Sequence, residues 1–362
     1  MYIKKMLSFF KQLDWRLNSA VLFLVAAGFL SLASTAPDLI FKQIIALALG
    51  LFFAFLLVKF DWRSYVNYRG AIFGLYGLVI SFLLLTYFFA PTIRGVKGWL
   101  IIGDFRFQVS ELAKLVLIIV YAWFFGRKHI GMARLSNLTI SFVYFIIPAG
   151  LISLQPDFGS ILILFCLWLG FLLVSGIPWR YLIIGLVIFS LLGMVFWQSV
   201  LENYQKERIL GFLFPDRDPL GVNYNVIQSK IAIGSAGFFG KGFGQGTQSQ
   251  LGFLPEAQTD FIFAAFIEEW GLFPGFLLIA AFTFLILRIV KIGLNSDNNF
   301  SRFICLGTVI LFIAQFIFNV GSNLGLTPVV GVTFPFLSYG GSSFLTNLIL
   351  IGIIQSISVR NS

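Results

Sequence analysis

Long apolar segments dominate the sequence. Ten of them approach the roughly 20 residues that a helix needs to cross a bilayer. Charged residues make up only 11% of the 362 residues, and a soluble chain could not cover its surface with so few. The sequence therefore predicts an all-α polytopic membrane protein with ten transmembrane helices. The predicted spans are 18–36, 43–59, 71–90, 110–126, 138–154, 158–176, 180–199, 260–288, 302–322 and 341–358.

The segments between these spans are short, with one exception. Residues 1–17 place apolar side chains on one helical face, which is typical of an amphipathic helix in the membrane interface. Residues 200–259 form a loop of about 60 residues between the seventh and eighth spans, and loops of that length are usually functional or disordered. Disorder is not expected, because the loop contains an amphipathic stretch. No signal-peptide cleavage site follows the first apolar run. We expect a single transmembrane domain over residues 1–362.

The positions of Lys and Arg predict the orientation. With the N-terminus inside, cytoplasmic segments hold 15 of the 25 basic residues and outer segments hold nine, five of them in the long loop. Long loops carry little weight in the positive-inside rule, so the short loops decide. Both termini are therefore predicted in the cytoplasm, with the long loop outside the cytoplasmic membrane. The net charge of +10 indicates topology and contact with membrane lipids. It does not indicate nucleic acid, because the cations form no stripe.

The rare residue types exclude several kinds of site. Cys166 and Cys305 lie in apolar runs and are interpreted as packing residues. His129 is the only histidine and lies in a basic loop, which excludes a histidine-based metal site or a catalytic triad on the outer face. The Gly-rich stretch 234–250 lacks the Gly-Lys-Ser/Thr of a P-loop, so we interpret it as a closely packed loop with unusual backbone angles. No metal ligands are predicted, and a requirement for a divalent cation stays open.

Charges within the predicted spans are the strongest indication of a functional site, because each costs a few kcal/mol to bury in a bilayer. Glu111 and Lys114 share a helix face and can pair, either structurally or in a functional role. Asp157 begins a helix and either caps it or faces a cavity. Asp260 also begins a span, where Thr259 is available as the N-cap. That leaves Asp260 to face a cavity at the membrane rim.

Two further acids and several cations accompany Asp260. Glu268 and Glu269 lie about 12 Å farther along the helix and are interpreted as structural or gating partners of buried cations. The cations near the outer face are Arg94, Lys97, Arg106, Arg208, Arg217, Lys230 and Lys241. One carboxylate beside several cations suits glycosyl transfer from a lipid diphosphate, because the carboxylate deprotonates the attacking hydroxyl and the cations stabilise the leaving diphosphate. The same features suit a lipid flippase or an ion-coupled transporter.

Four stretches resemble the SEDS family of shape, elongation, division and sporulation proteins. In chain order they are FQVSELAK (107–114), QPDFGS (155–160), the long stretch from DPLGVNYN to AAFIEEWG (218–271), and GVTFPFLSYGGSS (331–343). Within the third, TQSQLGFLPE followed by TDFIFA is most similar to the RodA branch of the family. The resemblance covers nearly the whole chain.

The resemblance implies a ten-helix peptidoglycan glycosyltransferase that polymerises lipid II at the outer face of the cytoplasmic membrane. It implies a class B penicillin-binding protein, a transpeptidase, as partner, together with elongation-machinery proteins. The RodA branch serves cell elongation and rod shape. A division protein of the FtsW branch, a lipid II flippase and a scaffold for the transpeptidase are the alternatives. A β-1,4 linkage from an α-linked donor requires inversion, for which one general base is enough.

Several residues acquire expected roles through this resemblance. The family's Thr-Asp-Phe motif falls on Thr259, Asp260 and Phe261, and implies that Asp260 is the catalytic base. The family's basic residue in the outer loop before Trp falls on Arg94, ahead of Trp99. The full set of residues expected to bind substrate, by motif or by charge, is Arg94, Lys97, Gln108, Glu111, Lys114, Asp157, Lys230, Lys241, Gln258, Thr259, Ser338 and Tyr339.

Three positions depart from the family pattern. Gln258 stands where the family has His before Thr-Asp, so the histidine is dispensable here or is replaced by an amide donor. Gly98 stands where the family has an Arg just before the outer-loop Trp, and the nearest cation is Lys97. Val109 replaces a Pro, with an effect that should stay local.

Overall fold

The computed structural model describes most of the chain as helices. The described residues are 12–60, 68–93, 95–103, 105–128, 134–181, 183–185, 187, 197–198, 203–214, 218–221 and 223–360. The helices are α1 (Trp15–Thr35), α2 (Ile40–Lys59), α3 (Arg69–Phe89), α4 (Val109–Lys128), α5 (Leu135–Ser153), α6 (Phe158–Val174), α7 (Asn203–Leu213), α8 (Tyr224–Ser235), α9 (Thr247–Gln250), α10 (Ile262–Trp270), α11 (Leu272–Leu294), α12 (Asn299–Leu324) and α13 (Gly341–Arg360).

Eight of the described helices are long and apolar enough to cross a membrane. They are α1, α2 with the 3-10 turn before it, α3, α4, α5, α11, α12 and α13. Helix α6 is apolar but shorter. The prediction of a polytopic helical membrane protein is confirmed, whereas the count of ten spans is not. The predicted span 180–199 and the predicted interfacial helix 1–17 lie mostly outside the described residues.

Burial separates central from peripheral helices. In the most apolar 18-residue stretch of α13, 83% of the residues are buried, and in that of α4 the share is 78%. In α2 with its preceding turn the share is only 17%. The exposed residues of α2 are largely Leu, Ile and Phe, for example Phe41 at 71% exposure. A contiguous apolar surface of this kind suits lipid contact, so α4, α12 and α13 form the centre of the bundle and α2 lies at its edge.

The predicted eighth span, 260–288, is wrong. The chain breaks at Gly271, which has φ 94° and ψ 174°, so α10 and α11 are separate helices. A side chain at Gly271 would overlap the main-chain nitrogen of Gly240. Leu272 N donates to Gly237 O at 3.1 Å, so the Gly-rich loop is docked onto the break. Because apolar residues continue on both sides of Gly271, hydropathy alone predicts one span instead of two helices.

A two-stranded hairpin precedes α4 and is a small addition to the predicted all-α fold. Strand β1 (Trp99–Ile102) pairs antiparallel with β2 (Phe105–Gln108), and Trp99 lies opposite Gln108. The connecting Gly103 has φ 61°, in the left-handed region that favours glycine. Two apolar runs separated by Gly-Asp are the sequence signal for such a hairpin. The hairpin delivers Gln108 to the start of α4.

Several helix ends meet at one end of the bundle. Asp14 caps α1 by accepting from Leu17 N at 3.0 Å, and it also pairs with Arg288 near the end of α11 at 2.6 Å. Arg360, at the end of α13, donates to Phe60 O just after α2 at 2.6 Å. Burial by itself raises the pKa of Asp14, but the hydrogen bond from Arg288 and the capping bond outweigh it and hold that pKa below its ordinary value.

Candidate active site

Asp260 lies on a segment whose main chain is held at three consecutive residues. The carbonyls of Gln258, Thr259 and Asp260 each accept a hydrogen bond from another part of the fold. The donors, in that order, are Tyr339 N at 2.9 Å, Ser338 Oγ at 2.8 Å, and for Asp260 both Asn319 Nδ2 at 3.1 Å and Asn323 Nδ2 at 2.8 Å. The backbone that carries Asp260 is thus fixed by α12 and by the segment before α13.

The turn before α10 differs from the prediction that Thr259 is its N-cap. Helix α10 begins at Ile262, and Phe261 at its N-cap position gives no side-chain cap. The Thr259 hydroxyl instead donates to Glu256 Oε2 at 2.9 Å. Glu256 has φ 55° and its carbonyl accepts from Phe261 N at 3.2 Å, so the chain closes a turn before the helix starts. The Thr259 hydroxyl therefore forms its hydrogen bond within this turn and does not cap α10.

The Asp260 carboxylate lies beside the segment that joins α12 to α13. Its Oδ2 is 3.9 Å from where a Cβ at Gly331 would lie, and Asp260 is half-buried. The neighbouring Val330 carbonyl packs so closely on Gly159 that a side chain there would overlap it. Residues 330–331 therefore lie between Asp260 and the start of α6, which brings three of the four resembling stretches together.

Asp157 caps α6 and also binds the fourth stretch. Its Oδ1 accepts from Ser160 N at 3.1 Å, which is the predicted N-cap. Its Oδ2 accepts from Gln108 Nε2 at 2.8 Å and from Ser110 Oγ at 2.9 Å. Gln108 N in turn donates to Ser342 Oγ at 2.8 Å, at the start of α13. Both oxygens of Asp157 are engaged in holding these helix starts together.

Glu111 and Lys114 form the predicted ion pair. Lys114 Nζ lies 2.8 Å from Glu111 Oε1, and both residues are buried in α4, with Lys114 only 3% exposed. Burying the pair is costly unless both charges are partnered, so removing either one leaves an uncompensated charge in the bundle. In the described part of the chain, no group of three or more His, Cys, Asp or Glu residues is arranged to hold a metal ion.

Glu268 holds the Gly-rich loop, in agreement with its interpretation as the partner of a cation. Its side chain is fully buried, and Lys241 Nζ lies 2.9 Å from Oε1. Gln248 N donates to Oε1 at 2.9 Å, and Ser249 N donates to Oε2 at 3.1 Å. Burial alone raises the Glu268 pKa, but the hydrogen bonds from Gln248 N and Lys241 outweigh it and hold that pKa below its ordinary value. Lys241, a predicted substrate-binding cation, is thus paired with Glu268.

Glu269 connects α10 to the C-terminal end of α1. Its Oε1 accepts from the Ser34 hydroxyl and, at 3.0 Å, from Gln250 Nε2. Among the residues that the structure describes, no Lys or Arg pairs with Glu269, so the interpretation of Glu269 as the partner of a buried cation is wrong there. Burial raises the pKa of Glu269 above its ordinary value. Helix α10 has nine residues and does not span the membrane, so both glutamates lie outside the spanning helices.

Lys230 lines a cavity of about 510 Å³ between α7, α8 and the chain that follows α12. Its ammonium packs beside Gly325, which directly follows α12. Ser229, next to it, donates to Asn323 O at 2.9 Å. The polar residues around the cavity are Glu207, Asp218, Asn223, Asn225, Lys230 and Thr327. The cavity therefore lies at the end of α12 that also holds Asp260.

The remaining predicted cations are spread around the hairpin and the long loop. Lys97 and Arg106 are exposed, and Arg94, Arg217 and the Arg208 side chain lie outside the described residues. Gly98 is buried, and a Cβ there would lie 3.1 Å from Gln155 Oε1. Gln155 is itself fixed, since its Nε2 donates to Leu83 O at 2.8 Å. An arginine at position 98 would not fit without moving Gln155.

Asn319 and Asn323 are the site residues that charge-based reasoning missed. Both are buried, at 1% and 0% exposure, inside a largely apolar helix. The sequence does indicate them, because Asn319 and Asn323 are four residues apart and so lie on one face of the helix. Polar residues on one face of a membrane helix usually have a partner in the bundle.

Comparison with known proteins gives concordant matches over most of the chain. Residues 9–362 match the family model FTSW_RODA_SPOVE, described as cell cycle protein. The peptidoglycan glycosyltransferase MrdB of Escherichia coli K12 is 36% identical over 316 residues, which cover 87% of this chain and 84% of MrdB. A chain from a structural study of polymerization and crosslinking by a peptidoglycan synthase complex gives a TM-score of 0.82 at 33% identity, covering 96% and 98% of the two chains. The rod shape determining protein RodA of Thermus thermophilus gives 0.72 at 29% identity, covering 96% of each.

Proposed function

The chain belongs to the FtsW, RodA and SpoVE family of cell cycle proteins, and we propose that it polymerises lipid II with Asp260 as the general base. It is a peptidoglycan glycosyltransferase of the RodA type, as its similarity to MrdB and RodA over most of the chain supports. The observation that carries the role of Asp260 is the fixation of three consecutive carbonyls at residues 258–260, which holds one half-buried carboxylate where the four family stretches meet.

The chemistry follows from a single base. The Asp260 carboxylate accepts the proton of the acceptor sugar hydroxyl as that oxygen attacks the anomeric carbon of the donor. The bond from that carbon to the diphosphate oxygen breaks, and the lipid diphosphate leaves with the bonding electrons. Attack from the face opposite the leaving group inverts the donor carbon, so no covalent intermediate on the protein is needed.

The leaving diphosphate needs cations. Two candidates are Lys230, at the cavity beside α12, and Lys97, exposed next to the hairpin, and Arg94 is expected from the family motif. Lys114 is paired with Glu111, and Lys241 is paired with Glu268. Each lysine would have to leave its carboxylate before it could bind phosphate. We assign Gln108, Asp157, Ser338 and Tyr339 to shaping the site, because they bind one another or the Asp260 segment.

The test is lipid II polymerisation by the purified protein in detergent, with moenomycin present to suppress contaminating transferases. Asp260→Asn should lower the rate by about 10² to 10⁴, the range for losing a general base. The control is Asp297→Asn, which neutralises an exposed acid between α11 and α12 and should leave the rate unchanged. Wild-type polymer yield from Asp260→Asn would exclude this role. Translocation of fluorescent lipid II in liposomes without polymer would favour a flippase.

We further propose the partner and the orientation. The matched structural study concerns a complex of polymerization and crosslinking, which supports a class B penicillin-binding protein as partner. The meeting of Asp14, Arg288 and Arg360 at one end of the bundle supports a shared cytoplasmic side for the start of α1 and the end of α13. The protein then lies in the cytoplasmic membrane with Asp260 near its outer face.

A further inference from the structure

The N-terminus of α10 has a capping group from another helix. The first N–H groups of a helix have no partner within it, and a buried one needs an acceptor. Phe261 cannot provide one, and Asn323 Oδ1 of α12 accepts from Ala264 N at 3.0 Å instead. Asn323 therefore acts as the N-cap of α10, although it is 59 residues from Ala264 in the sequence.

The same side chain binds Asp260. Asn323 Nδ2 donates to Asp260 O at 2.8 Å and to Asn319 O at 2.7 Å. An amide presents one acceptor and two donors, and the acceptor side is fixed here because Ala264 N can only donate. Asn323 thus sets the spacing between Asp260 and the first turn of α10.

Asn319 extends this contact to the other side of the carboxylate. Its Nδ2 donates to Asp260 O at 3.1 Å and to Val332 O at 2.9 Å. Val332 follows Gly331, the residue beside Asp260 Oδ2. One transmembrane helix therefore binds both the residue that carries the carboxylate and the segment that the carboxylate faces.

We propose that Asn323, with Asn319 as its second contact, is the positioning residue of the transfer reaction. The inference rests on the proposed function, in which Asp260 is the general base. A base works only within hydrogen-bond reach of the proton it accepts, and a displacement of 1 Å can cost about 10²-fold in rate. Asn323 fixes the main chain of the base and does not touch the reacting atoms.

The experiment uses two variants of the full chain and two matched controls on the same helix. Asn323→Leu removes both the acceptor and the donors, and Asn323→Asp keeps the acceptor and the shape. The controls are Gln315→Leu and Gln315→Glu. Gln315 is fully buried in α12, and neither atom of its amide has a hydrogen-bond partner in the described part of the chain. Lipid II polymerisation is measured across pH, alongside the melting temperature.

Asn323→Leu should lower kcat by roughly 10- to 100-fold and leave KM for lipid II within about twofold, while Gln315→Leu stays near wild type. In Asn323→Asp the introduced carboxyl can donate to Asp260 O only while protonated, because an ionised carboxylate has only acceptor oxygens. Its kcat relative to wild type should therefore fall as pH rises, a trend that Gln315→Glu should not show.

A kcat for Asn323→Leu within twofold of wild type overturns the inference. So does a kcat of Asn323→Asp, relative to wild type, that stays constant as pH changes. If Asn323→Leu does not insert, the pH dependence of Asn323→Asp decides alone. An active Asp260→Asn variant would instead overturn the proposed base. An inactive Asp260→Asn variant together with fully active Asn323 variants would overturn only the positioning role.

Discussion

Glu268 illustrates how one buried carboxylate can fix a loop. Its two oxygens accept from the Lys241 ammonium and from the main chain of Gln248 and Ser249, and no part of its side chain is exposed. Glu268→Gln should lower the free energy of unfolding by roughly 1–3 kcal/mol, because the charged hydrogen bonds are lost and Lys241 loses its carboxylate partner. Thermal unfolding in detergent measures this. Asp297→Asn, at an exposed position, should change stability by less than about 0.5 kcal/mol.

The pH dependence of stability follows from the same residue. The Glu268 pKa is held below the ordinary value of 4.5 in the folded chain, so its contribution to stability is present above that pH. The contribution is lost as pH falls below 4.5 and through the lowered pKa. We expect the melting temperature of wild type to drop over this acidic range more steeply than that of Glu268→Gln. Parallel curves for the two proteins would contradict this.

At the level of single residues, the sequence predicted contacts between near neighbours better than contacts from a distant helix. Asp157 caps α6, which was one of its two predicted roles, and Glu111 pairs with Lys114, as their three-residue spacing predicted. Thr259 failed as a cap because its hydroxyl binds Glu256, and because Asn323 supplies the acceptor from a distant helix. Local sequence cannot reveal a cap that comes from another helix.

The break between α10 and α11 is the element on which the docking of the loop depends. Gly271 has φ 94°, and a side chain there would overlap the Gly240 main chain. Gly271→Ala should therefore destabilise the protein by at least about 1 kcal/mol and reduce polymerisation, because the loop and α10 shift together. The control, Gly74→Ala in α3, has open space and a helical backbone, so it should be tolerated. A Gly271→Ala protein that melts and polymerises like wild type would contradict this role.

Helical elements were predictable from hydropathy where they cross the membrane. The span predicted at 341–358 corresponds to α13, Gly341–Arg360, and that at 110–126 to α4, Val109–Lys128. The prediction failed at 260–288, because hydropathy does not register the backbone angle that ends α10. The hairpin at β1 and β2 was missed for a different reason, since strands of four residues fall below the length that an apolar-span search detects.

At the scale of the whole molecule, α1 connects the two ends of the bundle. It has 21 residues, which rise about 32 Å, with Asp14 bound to Arg288 at one end and Ser34 bound to Glu269 at the other. That length matches the hydrocarbon core of a bilayer. The two contacts therefore mark opposite membrane faces.

Cysteine labelling can test this arrangement. Cys166 and Cys305 are free and would be replaced by alanine first. In that background, Lys97→Cys should react with a membrane-impermeant maleimide in intact cells, and Asp297→Cys only after permeabilisation. Both positions are exposed, so access to the reagent and not burial decides the result. Labelling of Asp297→Cys in intact cells would reverse the proposed orientation.

The clamped backbone at residues 258–260 also has a consequence for successive rounds of synthesis. Because its carbonyls are bound to α12 and to the segment before α13, Asp260 cannot follow a lengthening product. With Asp260 as the proposed general base, each new linkage would leave the extended strand one disaccharide past the carboxylate. The product strand, and not the base, would then have to move before the next addition, in keeping with the fixed main chain of residues 258–260.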